Sequence, residues 1–397
     1  MGERLALISA DCHAAARWRD YLPYLAAEHR DAFRAWCGSA LEAPRALRPG
    51  EDGLFDRRFL DAREGVASVA EGGATGTWDP ERRARELERD GIVAEVIFPN
   101  AENYGVPFHE DAPASGRSSN LPLELRWAGA RAYNRWLADL CACHPEQRAG
   151  VAIAPFDDVA LAVEEIRWAR QAGLRGGIFL PTVWDPLPSY NHPRYEPIWA
   201  ACEELSLPVN THSLGEGREA YGDLPGSLGV FLTEVKWYAH RPLAYLLWSG
   251  VFERHPALRF VLTEQMADWV PYTLDYLDDL YTRPIFAQLR EGLPRLPSEY
   301  WRRQCFVGAS FLTGREVALR EAIGVDSIMW GSDFPHAEGT WPHTREKLRE
   351  AFAGVRADEV VRMVGGTAAK VYGFDLEKLA PLADRVGPRA EEIGAVA

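Results

Sequence analysis

At 397 residues the chain can hold one large α/β barrel or two ordinary domains, and 47% apolar residues with 14 Trp supply a sizeable core. A formal net charge of −14 argues against nucleic-acid backbones and anionic membranes as partners. No apolar run approaches the roughly 20 residues needed to span a bilayer. Met1-Gly2-Glu3-Arg4 runs straight into a strand without the regions of a signal peptide, so the expected compartment is the cytoplasm. The six cysteines (Cys12, Cys37, Cys141, Cys143, Cys202, Cys305) are scattered and are expected to be reduced thiols.

The first strand, Leu5 to Ala10, runs into Asp11-Cys12-His13. An irregular segment follows over residues 14–77, too long for a simple strand-to-helix connection. It holds one amphipathic helix candidate, Pro23 to Trp36, and aromatic and basic residues (Trp18, Arg19, Tyr21, Tyr24, Arg57, Arg58) that suit a lid or wall over the end of that strand. A packing or dimer insertion is the alternative.

From Trp78 the rhythm is regular. Asp79-Pro80-Glu81 starts a helix, with Asp as N-cap and Pro in the first turn. It ends at Asp90-Gly91, before the second strand, Ile92 to Phe98. A helix over Leu123 to Cys143, a strand over Ala149 to Ala154, a helix over Val159 to Ala172 and a strand over Gly177 to Leu180 follow. Tyr195 to Leu205 is helical and leads into Leu207 to Thr211 and His212. A long apolar helix spans Val230 to Gly250, and Leu258 to Thr263 is the sixth strand, ending at Glu264-Gln265. An aromatic helix (Trp269 to Tyr281) precedes the seventh strand, Cys305 to Ser310. Arg315 to Ile323 is a short helix before the eighth, Ile328-Met329-Trp330, which opens into Gly331-Ser332-Asp333-Phe334-Pro335-His336. Val360 to Phe374 closes the fold as helix. Eight apolar strands alternating with helices predict a (β/α)8 TIM barrel over residues 1–374, with the insertion at 14–77 and an extension at 375–397 that wraps the surface or frays.

Three strands end in side chains of metal-ligand type: Asp11 and His13, His212, and Asp333. In Asp-x-His the period of two puts both side chains on one strand face. Imidazole with carboxylate suits one divalent ion, zinc or manganese, at the C-terminal mouth of the barrel.

The Asp-x-His after strand one, the His after strand five and Gly-Ser-Asp-Phe-Pro-His after strand eight resemble the amidohydrolase-related (amidohydrolase 2) family. This metal-dependent barrel branch includes aminocarboxymuconate semialdehyde decarboxylase and γ-resorcylate decarboxylase. Trp78 to Arg83, Ala132 to Leu137 and Gly366 to Phe374 support the resemblance. It implies Asp11, His13, His212 and Asp333 as metal ligands, with Asp11 standing where several members carry His or Glu. That carboxylate leans the site toward a harder ion such as manganese, with zinc still suited.

The resemblance also places a proton-transferring His at the end of strand six, where Gln265 stands here. Glu264 or Asp268 is then the candidate acid or base. Hydrogen-bonded support of a ligand His is the plainer role for Glu264, and a helix N-terminus for Asp268. His336 is expected to line the pocket or orient substrate, and Glu338, Trp341 and His343 to shape its rim. Arg218 and Arg175 are possible carboxylate anchors. The charges of Glu81 to Asp90 and Arg345 to Glu350 read as solvated helix faces, and Asn191-His192-Pro193 as a helix-start turn.

The function expected is non-oxidative decarboxylation of an aromatic or unsaturated carboxylic acid, with Asp333, Glu264, Asp268 and His336 as catalytic candidates. A hydrolase of an amide, lactone or vinylogous C–C bond is the alternative, using metal-bound water deprotonated by Asp333. A barrel that binds without turnover is the third reading. The insertion and the apolar helix suggest a homodimer.

Overall fold

The computed structural model describes residues 4–38, 73–99, 105–109, 121–182, 184, 186–213, 224–336 and 338–397. Arg57, Arg58 and Arg218 lie outside the described residues.

Eight parallel strands, β1 (Leu7–Ala14), β2 (Ile92–Pro99), β3 (Arg148–Ile153), β4 (Gly177–Phe179), β5 (Val209–His212), β6 (Phe260–Thr263), β7 (Cys305–Ser310) and β8 (Ile328–Gly331), pair in sequence order. The loop after β8 returns to β1, where Asp333 N–H donates to Asp11 C=O at 2.8 Å and His13 N–H to Phe334 C=O at 2.7 Å. This is the (β/α)8 barrel that the alternating pattern predicts. Its interior is filled by Ile8, Val96, Val151, Phe179, Val261 and Met329, all buried. It is a packed core and not a pore.

The strands run further toward the site than the apolar runs alone suggest. β1 includes Asp11 and His13, and a bulge takes in Asp11: Ser9 pairs with Glu95 and Cys12 with Ile97, three residues against two. Gly177 starts β4 at φ 88°, where a Cβ would lie 1.9 Å from Pro208 O. Only a residue without a side chain lets β4 and β5 pair there.

Two segments differ from the sequence reading, and a third settles on one of its two alternatives. The helix expected over Pro23 to Trp36 is confined to Arg30–Cys37, and Pro23 lies in a 3-10 stretch, Trp18–Tyr24. Leu25 (ψ 135°) and Ala26 (ψ 148°) are extended and break the helix between them. Arg315 to Ile323 is two short pieces, Gly314–Ala318 and Arg320–Ile323, parted at Leu319. The C-terminal extension wraps and does not fray. Its helix Leu376–Val386 is capped by Asp375, Leu5 N–H donates to Pro388 C=O at 2.8 Å, and Ala357 N–H to Val396 C=O at 2.7 Å.

The described part of the insertion packs as a wall. Trp18, Tyr21 and Phe33 are buried, and Tyr21 meets Trp136 of the helix Leu123–Ala142 edge-on at 5.9 Å.

Gly177→Ala should cost about 2–4 kcal/mol of stability through backbone strain and overpacking, read as a lower urea midpoint with an unchanged slope.

Candidate metal centre

Asp11, His13, His212 and Asp333 converge at the C-terminal mouth of the barrel. Asp11 Oδ1 lies 3.4 Å from His13 Nε2 and 3.3 Å from His212 Nε2, and Asp333 Oδ1 lies 3.3 Å from His13 Nε2. All four side chains are buried. Glu264 joins them. Its N–H donates to Gly308 C=O at 2.8 Å, one step past β6, and its φ of 56° then turns the side chain inward. Glu264 Oε2 sits 3.2 Å from His212 Nδ1 and accepts from Ser213 Oγ at 2.9 Å. Asp333 shares this left-handed backbone, at φ 58°. Non-glycine residues adopt it at a cost, and such residues cluster at functional sites.

Burial alone would raise the Asp11 carboxyl, but His212 and His13 outweigh it and hold it below the carboxylate range. Burial alone would lower His13, yet contacts with Asp11 and Asp333 hold its imidazole well above its usual value. Asp333 is likewise held low against its burial, chiefly by His336. Glu264 goes the other way. Burial, with the Asp333 and Asp11 charges close by, pushes its carboxyl well above the ordinary range.

These residues fit a divalent cation. One donor atom each of Asp11, His13, His212 and Glu264 lies within 4.8 Å of the others, and a second group of His13, Asp333 and His336 shares His13. Asp333 Oδ2 is buried without a hydrogen-bond partner, an arrangement that a cation resolves. Two imidazoles with carboxylates suit manganese or zinc.

The support behind the donors was not visible in the sequence. Ser310 Oγ donates to Asp11 Oδ2, and Ser9 Oγ to Asp11 C=O at 2.7 Å. Arg83 is fully buried, against the reading of Glu81 to Asp90 as a solvated face, and Glu86 and Asp90 are buried too. The Arg83 guanidinium grips Glu95 of β2 through two bonds of 2.7 and 2.6 Å and donates to His13 C=O at 2.8 Å. It fixes the backbone of a donor residue from behind.

The remaining candidates divide. His336 stacks on His13 with ring centroids 4.2 Å apart and places Nδ1 2.9 Å from Asp333 Oδ1. Asp268 is drawn away from the cluster by Arg315, 3.1 Å distant. Gln265 is buried behind the mouth, its Nε2 donating to Thr211 Oγ1 at 2.9 Å. Trp341 is buried edge-on to Phe334, while His343 is exposed beside Glu346. Arg175 donates to Glu146 C=O at 2.8 Å and lies over Phe374, where Gly373 closes the helix Thr367–Tyr372. His192 Nδ1 accepts from Arg194 N–H at 3.1 Å, the expected helix-start turn. All six cysteines are free thiols, and Cys12 Sγ donates to Ser9 Oγ at 3.2 Å.

Strand order and donor placement define the class: a (β/α)8 barrel with metal-ligand-type side chains gathered at its strand C-termini. The chain belongs to the amidohydrolase family, whose sequence model (Amidohydro_2) matches residues 104–374. That match starts beyond β2, so Asp11 and His13 enter the site through the fold. A γ-resorcylate decarboxylase of Rhodococcus jostii (strain RHA1) is 30% identical over 231 residues, which is 52% of this chain and 66% of that protein. The matched stretch is thus under two thirds of the relative's length. A 5-carboxyvanillate decarboxylase from Sphingomonas paucimobilis shares the fold with a TM-score of 0.64 at 20% identity, over 94% of this chain and 100% of that one. A dihydroxybenzoic acid decarboxylase from Polaromonas sp. JS666, solved with manganese and 2-nitroresorcinol, gives 0.59 at 18% identity, over 93% and 97%.

Arg83→Met, which leaves Glu95 buried with only Arg148 nearby, should cost about 3–5 kcal/mol in denaturant unfolding. Adding Glu95→Leu should return part of that loss, because the uncompensated charge goes with it.

Proposed function

We propose that this chain is a divalent-metal-dependent, non-oxidative decarboxylase of an aromatic or unsaturated carboxylic acid. The observation that carries the reading is the position of Glu264: a carboxyl at the end of β6, beside the donor cluster and pushed above the ordinary carboxylate range by burial and by the Asp333 and Asp11 charges. The decarboxylases among the similar proteins point to the same substrate class.

Asp11, His13, His212 and Asp333 would hold the cation, with manganese favoured by the carboxylate at position 11. Bound there, it supplies positive charge that fixes a substrate carboxylate and a neighbouring oxygen. The chain's own groups do the rest. His336, stacked on His13, offers a flat face for an aromatic ring. Phe98, 4.9 Å from the His212 ring, and Phe179 beyond it keep that side of the mouth apolar. The inserted wall of Trp18, Tyr21 and Phe33 extends the apolar cover and favours release of a neutral product.

As the bond between ring carbon and carboxylate breaks, its electron pair stays on the ring carbon and carbon dioxide leaves. Glu264 delivers its proton to that carbon and regains one from solvent after product departs. His212 Nδ1 and Ser213 Oγ hold the Glu264 carboxyl in position meanwhile. Asp268, paired with Arg315, is the weaker candidate for this step. The exposed Leu228, Val230, Leu232 and Trp237 on the helix Ser227–Trp248 support the homodimer.

With γ-resorcylate or 5-carboxyvanillate as candidate acids in heavy water, carbon dioxide should appear together with one carbon-bound deuterium in the product. Solvent oxygen-18 in the product, without carbon dioxide, would assign hydrolysis instead. Glu264→Gln should lower the decarboxylation rate about 10²–10⁴-fold while manganese still binds. A near-normal rate in that variant removes Glu264 from the proton transfer.

A further inference from the structure

The seam where the barrel closes is unlike the rest. Consecutive strands from β1 to β8 share parallel ladders, whereas β8 and β1 meet, among the described residues, through an isolated bridge from Cys12 to Phe334, past the end of β8. On the other side of β1 the bulge leaves Ala10 and Asp11 without register partners on β2. A metal-ligand-type residue therefore sits where main-chain pairing is thin on both sides.

Ser9 fills that gap with its side chain. It is fully buried, and its hydroxyl has one proton and two lone pairs to place. The proton goes to Asp11 C=O at 2.7 Å, and the lone pairs take the Ser332 N–H at 2.8 Å and the Cys12 thiol at 3.2 Å. Asp333 N–H donates to the same Asp11 carbonyl at 2.8 Å. One hydroxyl thus fastens the peptide of Asp11 to the residue just before Asp333. Gly331 permits the close approach, since a Cβ there would lie 2.7 Å from Asp11 Cβ. Ser310 serves differently, because its hydroxyl holds the Asp11 carboxylate itself.

We infer that Ser9 is a positioning residue, whose hydroxyl latches the β1 bulge to the loop after β8 and so sets how far apart the Asp11 and Asp333 carboxylates stand. It acts through the backbone of both. The inference rests on the metal centre of the proposed function, and not on the reaction performed there or on Glu264. Alanine at position 9 removes the latch without removing a donor. Asp11 C=O keeps its bond from Asp333 N–H, and Ser310 keeps its hold on the Asp11 carboxylate. The barrel therefore stays folded while the two carboxylates lose their fixed spacing.

Equilibrium dialysis of the full chain against manganese, with the metal counted by atomic emission, tests this beside urea unfolding of the metal-free chain. Ser9→Ala should bind manganese about 10–100-fold more weakly than the wild type, the loss typical when a group that orients a metal donor is removed. The comparison variant is Ser298→Ala, which deletes another buried hydroxyl, bonded to Asp278 at 2.6 Å on the outer helix Pro297–Gln304. It should keep wild-type manganese affinity, and the two metal-free variants should unfold at similar urea concentrations. Wild-type affinity in Ser9→Ala, or an equal loss in Ser298→Ala, overturns the inference. A Ser9→Ala chain that does not fold, or unfolds far earlier than Ser298→Ala, makes Ser9 a stability residue and overturns it too. No uptake by the wild type would instead overturn the metal centre itself, and the latch with it.

Discussion

The structure depends on one constraint: carboxylates gathered at the barrel mouth without a Lys or Arg partner among the described residues. Asp11 and Asp333 are wholly buried, and imidazoles of His13, His212 and His336 and the Ser310 hydroxyl lie against them. Burying ionised groups is costly unless something of opposite charge meets them. Here the imidazoles of His13, His212 and His336 do so in part; His13 is held above its usual value, and Asp11 and Asp333 below theirs. A cation in the same place does it more completely, releasing the imidazoles to act as neutral ligands.

Holding those charges together needs a rigid surround, and the fold builds it from two directions. Around the barrel, the backbone of Asp333 bonds to that of Asp11, so the last strand and the first fix each other's donors. From outside, Arg83 reaches from the helix Pro80–Arg89 to the His13 carbonyl while neutralising Glu95 on the neighbouring strand. Glu264 and Asp333 both hold left-handed backbone, which turns each side chain inward at a point where a strand would otherwise continue. The same placement at two distant strand ends ties the strain to the site and away from accidental packing.

The barrel was readable in the sequence because each strand is a short apolar run and each helix carries its own punctuation, as at Asp79-Pro80 and Gly173. Asp11, His13, His212 and Asp333 were readable because ligand-type side chains at corresponding strand ends have few other uses. Arg83 was not. A charged helix face normally means solvent, and nothing local shows that Glu95, in the middle of an apolar strand, is its partner. The choice among Glu264, Gln265 and Asp268 was equally hidden. Alternation decides which side chain faces inward only while the chain stays extended, and at φ 56° that rule ends with Glu264. Pro23 failed for a related reason: it suits the first turn of a helix, yet two extended residues, Leu25 and Ala26, separate it from the helix that forms.

In the role proposed for Glu264, a carboxylic acid would differ from an imidazole in more than identity. An imidazole that has given up its proton is neutral, so a neighbouring anion costs it little. A carboxylic acid that has done so becomes another anion beside Asp11 and Asp333, and their charges draw the proton back. Were Glu264 the acid, the site would thereby favour its reprotonation between turnovers.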